Sequence, residues 1–416
     1  MVLSATYLPE KFKWRYFNIK LVLLAVSFTL ATYETFLVRF IKKFFPLLIT
    51  SSSLRTLDLI LVLVIISINL FVILSCRADH LDNEFINPIF VSLLLFCGYS
   101  FFSVVLTDFL YKSFWAYLKL LAGVSFLFSF YYAYKSVRDI RLFFWIIVSV
   151  LSVGIVFDFF YSIYVYFSHS GVKYAACRRV FGAHTSIVAS FVLSVLLIVK
   201  DTNFNKYLKF LLASIVFLCF IGARSKTGII STFIFYPLLY EILVKRTCKR
   251  LIYYIILFFL LSIAVFKIGI IGRMFKVFDG KLVTVKYRFD IWYFCFKVIK
   301  ENFLLGTGIG SFKEVVKKFG SLPAVHFAQH AHNYYIHLLL EEGLLGFSLW
   351  LGFLSLALKN LLNSFKEFKN NFAYIVLLFG VGITLLYQIG DSSLHELYFQ
   401  SFFYSIVGVN LSYVED

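Results

Sequence analysis

The chain has 416 residues, of which 61% are hydrophobic and 15% charged, and its mean hydropathy is +0.87. Soluble domains run at about 45–50% apolar and about 25% charged residues, so a water-soluble fold is excluded, and this much apolar content also excludes a disordered chain. Forty Lys and Arg against 22 Asp and Glu leave a net charge of +18; with no basic soluble domain to carry a nucleic acid, that excess reads as membrane topology and as attraction for an anionic substrate.

A membrane-spanning helix needs about 20 predominantly apolar residues. In chain order this rule predicts about twelve transmembrane helices, at 18–35, 57–76, 87–107, 114–134, 141–166, 180–199, 206–223, 226–244, 251–271, 334–357, 371–389 and 396–413. The first run lacks a small-residue cleavage site and is expected to remain as a helix. The amphipathic stretch Phe36–Ile49 is expected to form an interfacial helix. The expected fold class is therefore an all-α polytopic membrane protein, with residues 1–416 forming one transmembrane domain. Six cysteines (76, 97, 177, 219, 248 and 295) contain no C-x-x-C pair, so neither a disulfide framework nor a zinc module is expected.

Lys and Arg in short loops set the orientation. Lys11, Lys13, Arg15, Lys135, Arg138, Lys200, Lys206 and the cluster Lys245, Arg246, Lys249 and Arg250 share one side. This predicts cytoplasmic N- and C-termini. The longest interspan segment, 272–333, then falls between the ninth and tenth helices as one large loop on the far face. It carries helical patches, such as Asp290–Ile299, and the glycine turn LGTGIGS at Leu305–Ser311. Gly306, Gly308 and Gly310 lack the strand-turn-helix setting of a nucleotide-binding loop and read as turn glycines.

The densest polar cluster is AVHFAQHAHNYYIHLLLEE, Ala324–Glu342, with His326, His330, His332 and His337. Histidine titrates near neutrality and suits acid–base chemistry. Three readings compete. A metal site would use the close spacing of His326, His330 and His332, but no nearby Cys or Asp completes a tetrahedral set, so no metal is expected. A structural reading makes these residues the polar entry to a helix, with Asn333 as its cap. A catalytic reading gains from the basic residues elsewhere. Arg224 and Lys226, in IGARSKTGII, interrupt apolar sequence, where charges are costly, although an outer turn between spans accounts for them equally well. Arg178 and Arg179 open another span on the same face, and Arg288 in YRFDIW has Asp290 within reach of a local ion pair. Arginine matches phosphate geometry with a planar fork of donors. A convergent set beside a histidine points to an enzyme acting on a lipid-linked phosphate or diphosphate. Asp391 and His395, in GDSSLHEL, fall in the last outer loop, where they would line the acceptor side.

His332-Asn333, nine residues, then Gly343-Leu344 resembles the His-[Asn/Ser/Gln]-x9-Gly-[Ile/Val] signature of the O-antigen ligase and polymerase superfamily, with Leu344 a mild departure. Arg224 in ARSKTG and Arg288 in YRFDIW resemble its two arginine motifs. The resemblance implies a GT-C-like fold and an inverting, metal-independent glycosyltransferase without cofactors. Its donor would be an undecaprenyl-diphosphate-linked glycan and its acceptor lipid A-core, on the periplasmic face of a bacterial inner membrane. His332 would activate or orient the acceptor hydroxyl. Arg224 and Arg288, joined less securely by Arg179 and Arg178, would hold the diphosphate, with His330, Asn333, His337 and Lys226 in support. A polymerase, with a second lipid-linked repeat as acceptor, shares this logic. A flippase for the same anionic lipid is the alternative from another class, and paired half-repeats would distinguish it.

Overall fold

The structure is a computed structural model and describes residues 19–44, 51–77, 87–168, 206–222, 283–320, 328–368 and 371–415, together with isolated positions between them. Among the described residues the chain forms eleven α-helices and no strand. They are α1 (Ile19–Phe44), α2 (Ser51–Arg77), α3 (Pro88–Leu106), α4 (Leu110–Val137), α5 (Ile140–Ser168), α6 (Lys206–Gly222), α7 (Val283–Glu301), α8 (Phe312–Phe319), α9 (Tyr334–Phe368), α10 (Phe372–Tyr387) and α11 (Leu397–Glu415), with a 3-10 turn at Ser393–His395 before the last.

Five helical stretches among them are long and apolar enough to cross a membrane: Thr56–Cys76, Pro88–Leu106, Leu110–Val137, Ile140–Tyr161 and Tyr334–Phe365. Two shorter apolar helices lie at Phe210–Phe220 and Ala373–Tyr387. The chain is thus a helical membrane protein. The expected spans 226–244 and 251–271, and nearly all of 180–199, lie outside the described residues. Of the expected interfacial stretch Phe36–Ile49, residues 45–49 lie outside the described residues, and 36–44 do not form a separate helix. They prolong α1, because nothing in the sequence breaks the helix before Pro46, whose ring disfavours helical backbone at its approach. At the start of α3, Pro88 occupies the first helical position and Asn87 accepts from the Ile89 amide at 2.9 Å, where a missing N–H costs nothing.

The packing centre is α11, buried from Leu397 to Ser412 and lying chiefly along α4, whose other main neighbours are α2 and α3, while α1 packs on α2 and α11. Polar residues Ser401, Ser405, Asn410 and Ser412 are buried along it, and Gly408 lets the α4 backbone approach at Leu127. Between α1, α2 and α4, Ser27 donates to Asn69 Oδ1 at 2.9 Å and the Asn69 amide donates to Ser125 Oγ at 2.7 Å. Lys119 of α4 lies 2.9 Å from Glu34 and 3.5 Å from Asp58, so this charge enters the bundle with its counter-charges. The four described cysteines, 76, 97, 219 and 295, are buried.

A second, smaller core lies under the segment leading into α9. Ile291, Cys295 and Val298 of α7, Phe312 and Val315 of α8, and Val325, Ala331 and Leu340 bury one another. The stretch that the sequence offers as one large loop therefore contains two helices packed on α9.

Candidate active site

The site is built on a break in α9. Gly343 has φ 61° and ψ −171°, a region essentially reserved for glycine. The interruption frees backbone groups on both sides, and the turn at 303–310 takes them up. The Thr307 and Gly308 amides donate to the Leu340 and Glu341 carbonyls at 3.0 and 2.8 Å, and the Leu344 amide donates to the Phe303 carbonyl at 2.8 Å. The Glu341 side chain completes the dock, accepting from the Gly310 and Phe312 amides at 2.8 and 3.0 Å while sitting 3.3 Å from His337.

The segment before α9 is held from three directions. Trp292 of α7 donates its indole N–H to the Ala331 carbonyl at 2.8 Å. Asn333 caps α9 by accepting from the Ile336 amide at 3.0 Å, and its own amide donates to the Ile389 carbonyl at 3.0 Å. The Tyr334 amide lies within hydrogen-bond distance of the Gln388 and Asp391 carbonyls. His332 between them takes a left-handed backbone, φ 52°, which is uncommon for a residue with a side chain.

Four imidazoles gather there. His330 Nε2 and His332 Nδ1 are 3.0 Å apart and hydrogen-bonded. The His395 ring lies 5.5 Å from that of His330 and stacks at 5.4 Å on that of His337. Carboxylates accompany them: Asp391 Oδ1 is 3.7 Å from His330 Nε2, Glu396 Oε1 is 3.1 Å from His395 Nε2, and Glu341 serves His337. Burial pushes His330 well below the ordinary histidine range, reinforced by the neighbouring imidazoles of His395 and His332 and only partly opposed by Asp391. For His395, burial pulls the same way, but the Glu396 carboxylate and the Ser392 carbonyl outweigh it and the net direction is upward. One imidazole of the cluster is thus kept neutral and another is biased towards protonation, an arrangement suited to moving a proton.

His332, His330, Asn333 and His337 of the sequence reading fall in one cluster. Arg288 lies on α7 beside Tyr287, whose ring is 6.4 Å from that of His332. Its expected ion pair with Asp290 does not form, because residues two apart on a helix point away from each other, and among the described residues Arg288 has no ion-pair partner. Arg178, Arg179, Arg224, Lys226 and His326 lie outside the described residues. Sequence reasoning missed Glu341 and Glu396 as members of the site; the i,i+4 spacing of His337 and Glu341 was the available signal for the first. The nitrogens of His330 and His332 and a carboxylate oxygen of Asp391 lie within 4.8 Å of one another, close enough to share a metal ion.

A membrane protein that is helical throughout its described residues, with a histidine and carboxylate cluster at the entry to one of its spanning helices, is what fold and site together define. Residues 210–351 match the family model described as O-Antigen ligase, and the resemblance carried by the His332-Asn333 signature is borne out over that stretch. The match runs from α6 to the first half of α9 and takes in Arg224, Arg288, His332 and Gly343, but neither Arg178 nor Arg179. It implies an enzyme of ligase or polymerase type, glycosyltransferase-like, with a lipid-linked glycan and a lipid acceptor as substrates in general. A comparison with curated proteins found no match.

Proposed function

We propose that the protein is an O-antigen ligase, an inverting and metal-independent glycosyltransferase that moves a glycan from undecaprenyl diphosphate to a sugar hydroxyl of lipid A-core. The observation that carries this reading is the 3.0 Å pair of His330 and His332 inside the family-matched stretch, one helix packing away from Arg288. The assignment further has both termini in the cytoplasm, the 272–333 segment at the periplasmic face of a bacterial inner membrane, and no cofactor.

The chemistry follows from the ring nitrogens. His330 is held neutral, so its Nε2 can accept a hydrogen bond. In this reading the proton of the 3.0 Å bond sits on His332 Nδ1, so that Nε2 is the nitrogen that takes the proton of the acceptor hydroxyl. As that oxygen attacks the anomeric carbon, its proton passes to His332 Nε2. The bond from the anomeric carbon to the phosphate oxygen breaks, and its electron pair leaves with undecaprenyl diphosphate. A single displacement inverts the anomeric centre. Asp391 beside His330 favours the imidazolium that forms, and general base assistance of this kind is worth about 10²–10⁴-fold in rate. Charge developing on the diphosphate needs fixed positive groups. Arg288 and Arg224 take that role, with Arg179, Arg178 and Lys226 as further contacts carried by sequence alone.

Reconstituted transfer with wild type and His332→Ala tests the reading. The donor is undecaprenyl-diphosphate glycan, with lipid A-core or a second donor molecule as acceptor. His332-dependent product on lipid A-core is expected. Chain extension alone makes the protein a polymerase, and lipid translocation without covalent product makes it a flippase.

A further inference from the structure

Asp391 supplies what the sequence around the histidines lacks. It arrives from the turn between α10 and α11, and its carboxylate is fixed before any ligand comes: Oδ2 accepts from the Tyr387 hydroxyl at 2.9 Å and Oδ1 from the Ser392 amide at 2.8 Å. Hydrogen bonds of this kind orient metal-ligating carboxylates and are worth about 10–100-fold in metal affinity. Opposite it, the left-handed turn at His332 leaves the two imidazoles side by side, His330 Nε2 being 3.0 Å from His332 Nδ1 and 3.7 Å from Asp391 Oδ1. Ligand atoms at about 2.0–2.1 Å from a tetrahedral zinc ion stand roughly 3.3–3.4 Å apart. The observed spacings bracket that value, and no donor atom of the three is farther than 4.8 Å from another.

We propose that His330, His332 and Asp391 form a binding site for a borderline divalent transition metal, Zn²⁺ or Cu²⁺, and that the metal inhibits the enzyme. Two imidazoles and one carboxylate select zinc or copper over Mg²⁺ and Ca²⁺, which favour oxygen sets. The three supply three of the four positions of a tetrahedral ion.

Inhibition follows from proton placement, and it rests on the reading of His332 as the base. A metal on His332 Nδ1 displaces the proton from that nitrogen, and the neutral imidazole then carries it on Nε2. The lone pair that would accept the acceptor's proton is gone. No net proton is released, since each ring stays neutral and only its tautomer changes. His330 ligates through Nε2 and keeps its proton on Nδ1. His395 and Glu396 pair with each other beside the site and stay outside the ligand set.

Co²⁺ is the probe, because a tetrahedral site gives it visible ligand-field absorption. The full chain in detergent, stripped with chelator, should bind one Co²⁺, lose the absorption on adding Zn²⁺ and keep it on adding excess Mg²⁺. Zn²⁺ should also raise the melting temperature, since a ligand of the folded state alone stabilises it. Asp391→Ala and His330→Ala should abolish both effects, Tyr387→Phe should weaken binding roughly tenfold, and His395→Gln should bind as wild type does. Absence of Co²⁺ absorption in the wild-type chain, or unchanged binding in Asp391→Ala, overturns the site. Transfer should survive chelation and fall when Zn²⁺ is added. Binding without inhibition upholds the site and removes His332 from the base role. Activity lost on chelation and restored by Zn²⁺ makes the metal a cofactor and overturns the inhibitory part.

Discussion

Gly306 and Gly343 meet backbone to backbone. A methyl group on Gly306 would strike the Glu341 carbonyl and the Gly343 amide, and one on Gly343 would strike the Leu304 carbonyl and the Gly306 amide. Both have positive φ, 73° and 61°. The contact locks the turn before α8 to the break in α9, and Glu341, two residues before the break, reaches the same turn through the Gly310 and Phe312 amides.

Gly306→Ala and Gly343→Ala should therefore each destabilise the protein by about 1–3 kcal/mol from backbone conformation alone, with the steric clash adding to it. Because the two residues touch, the double variant should cost less than the sum of the singles. Thermal unfolding in detergent measures all three, and unchanged melting for Gly343→Ala would be incompatible with the break.

Arg288→Ala should reduce glycan transfer by about 10²–10³-fold, the usual loss for one donor to a developing anion. Melting should stay unchanged, because Arg288 has no ion-pair partner among the described residues. Arg288→Lys should recover only part of the rate, as it keeps the charge but not the two-pronged fork. Transfer rate against donor concentration distinguishes these outcomes.

The two shifted histidines predict opposite pH limbs. His330 is lowered in the folded state, so its contribution is present above the unfolded value of about 6.5 and is lost as pH falls below that, where the unfolded chain takes the proton first. His395 is raised, so its contribution is complete below about 6.5 and is lost as pH rises through its folded value. Relative to wild type, His330→Asn should flatten the acid side of a plot of melting temperature against pH, and His395→Gln the alkaline side. Parallel curves for wild type and both variants would refute the assignment.

Lys119→Met should destabilise the bundle by about 3–5 kcal/mol, the cost of removing one partner of a buried ion pair, here from Glu34, 2% exposed, and the half-buried Asp58. Adding Glu34→Gln and Asp58→Asn should restore most of the loss. Melting of the single and triple variants in detergent is the check.

Apolar run length placed most helices within a few residues, because the cost of exposing backbone to lipid leaves a helix as the only local solution. It did so for α3, α4 and α5, and for the start of α9 at Asn333, where the cap residue is adjacent in sequence to the helix it caps. The same local logic identified the glycine turn as a turn but not its purpose, since the partner that needs Gly306 to be glycine is Gly343. It also joined Phe36 to a separate helix that the structure continues from α1, because amphipathic patterning changes along a helix without breaking it.

The chemistry of His332 was legible as a residue type in a motif, which needs only neighbours along the chain. Its surroundings were legible only in part: Asp391 and His395 could be assigned to the last outer loop on the acceptor side, but not their contacts with His330, nor Tyr287 of α7 beside His332, nor the clamp of Glu341 on the glycine turn. Hydropathy, capping and turn chemistry are properties of a few consecutive residues, so they can be read in order. Which carboxylate reaches which imidazole depends on how α7, α9, α10 and α11 pack against one another. That packing is a sum of many small contacts spread over the bundle, and no short stretch of sequence records it.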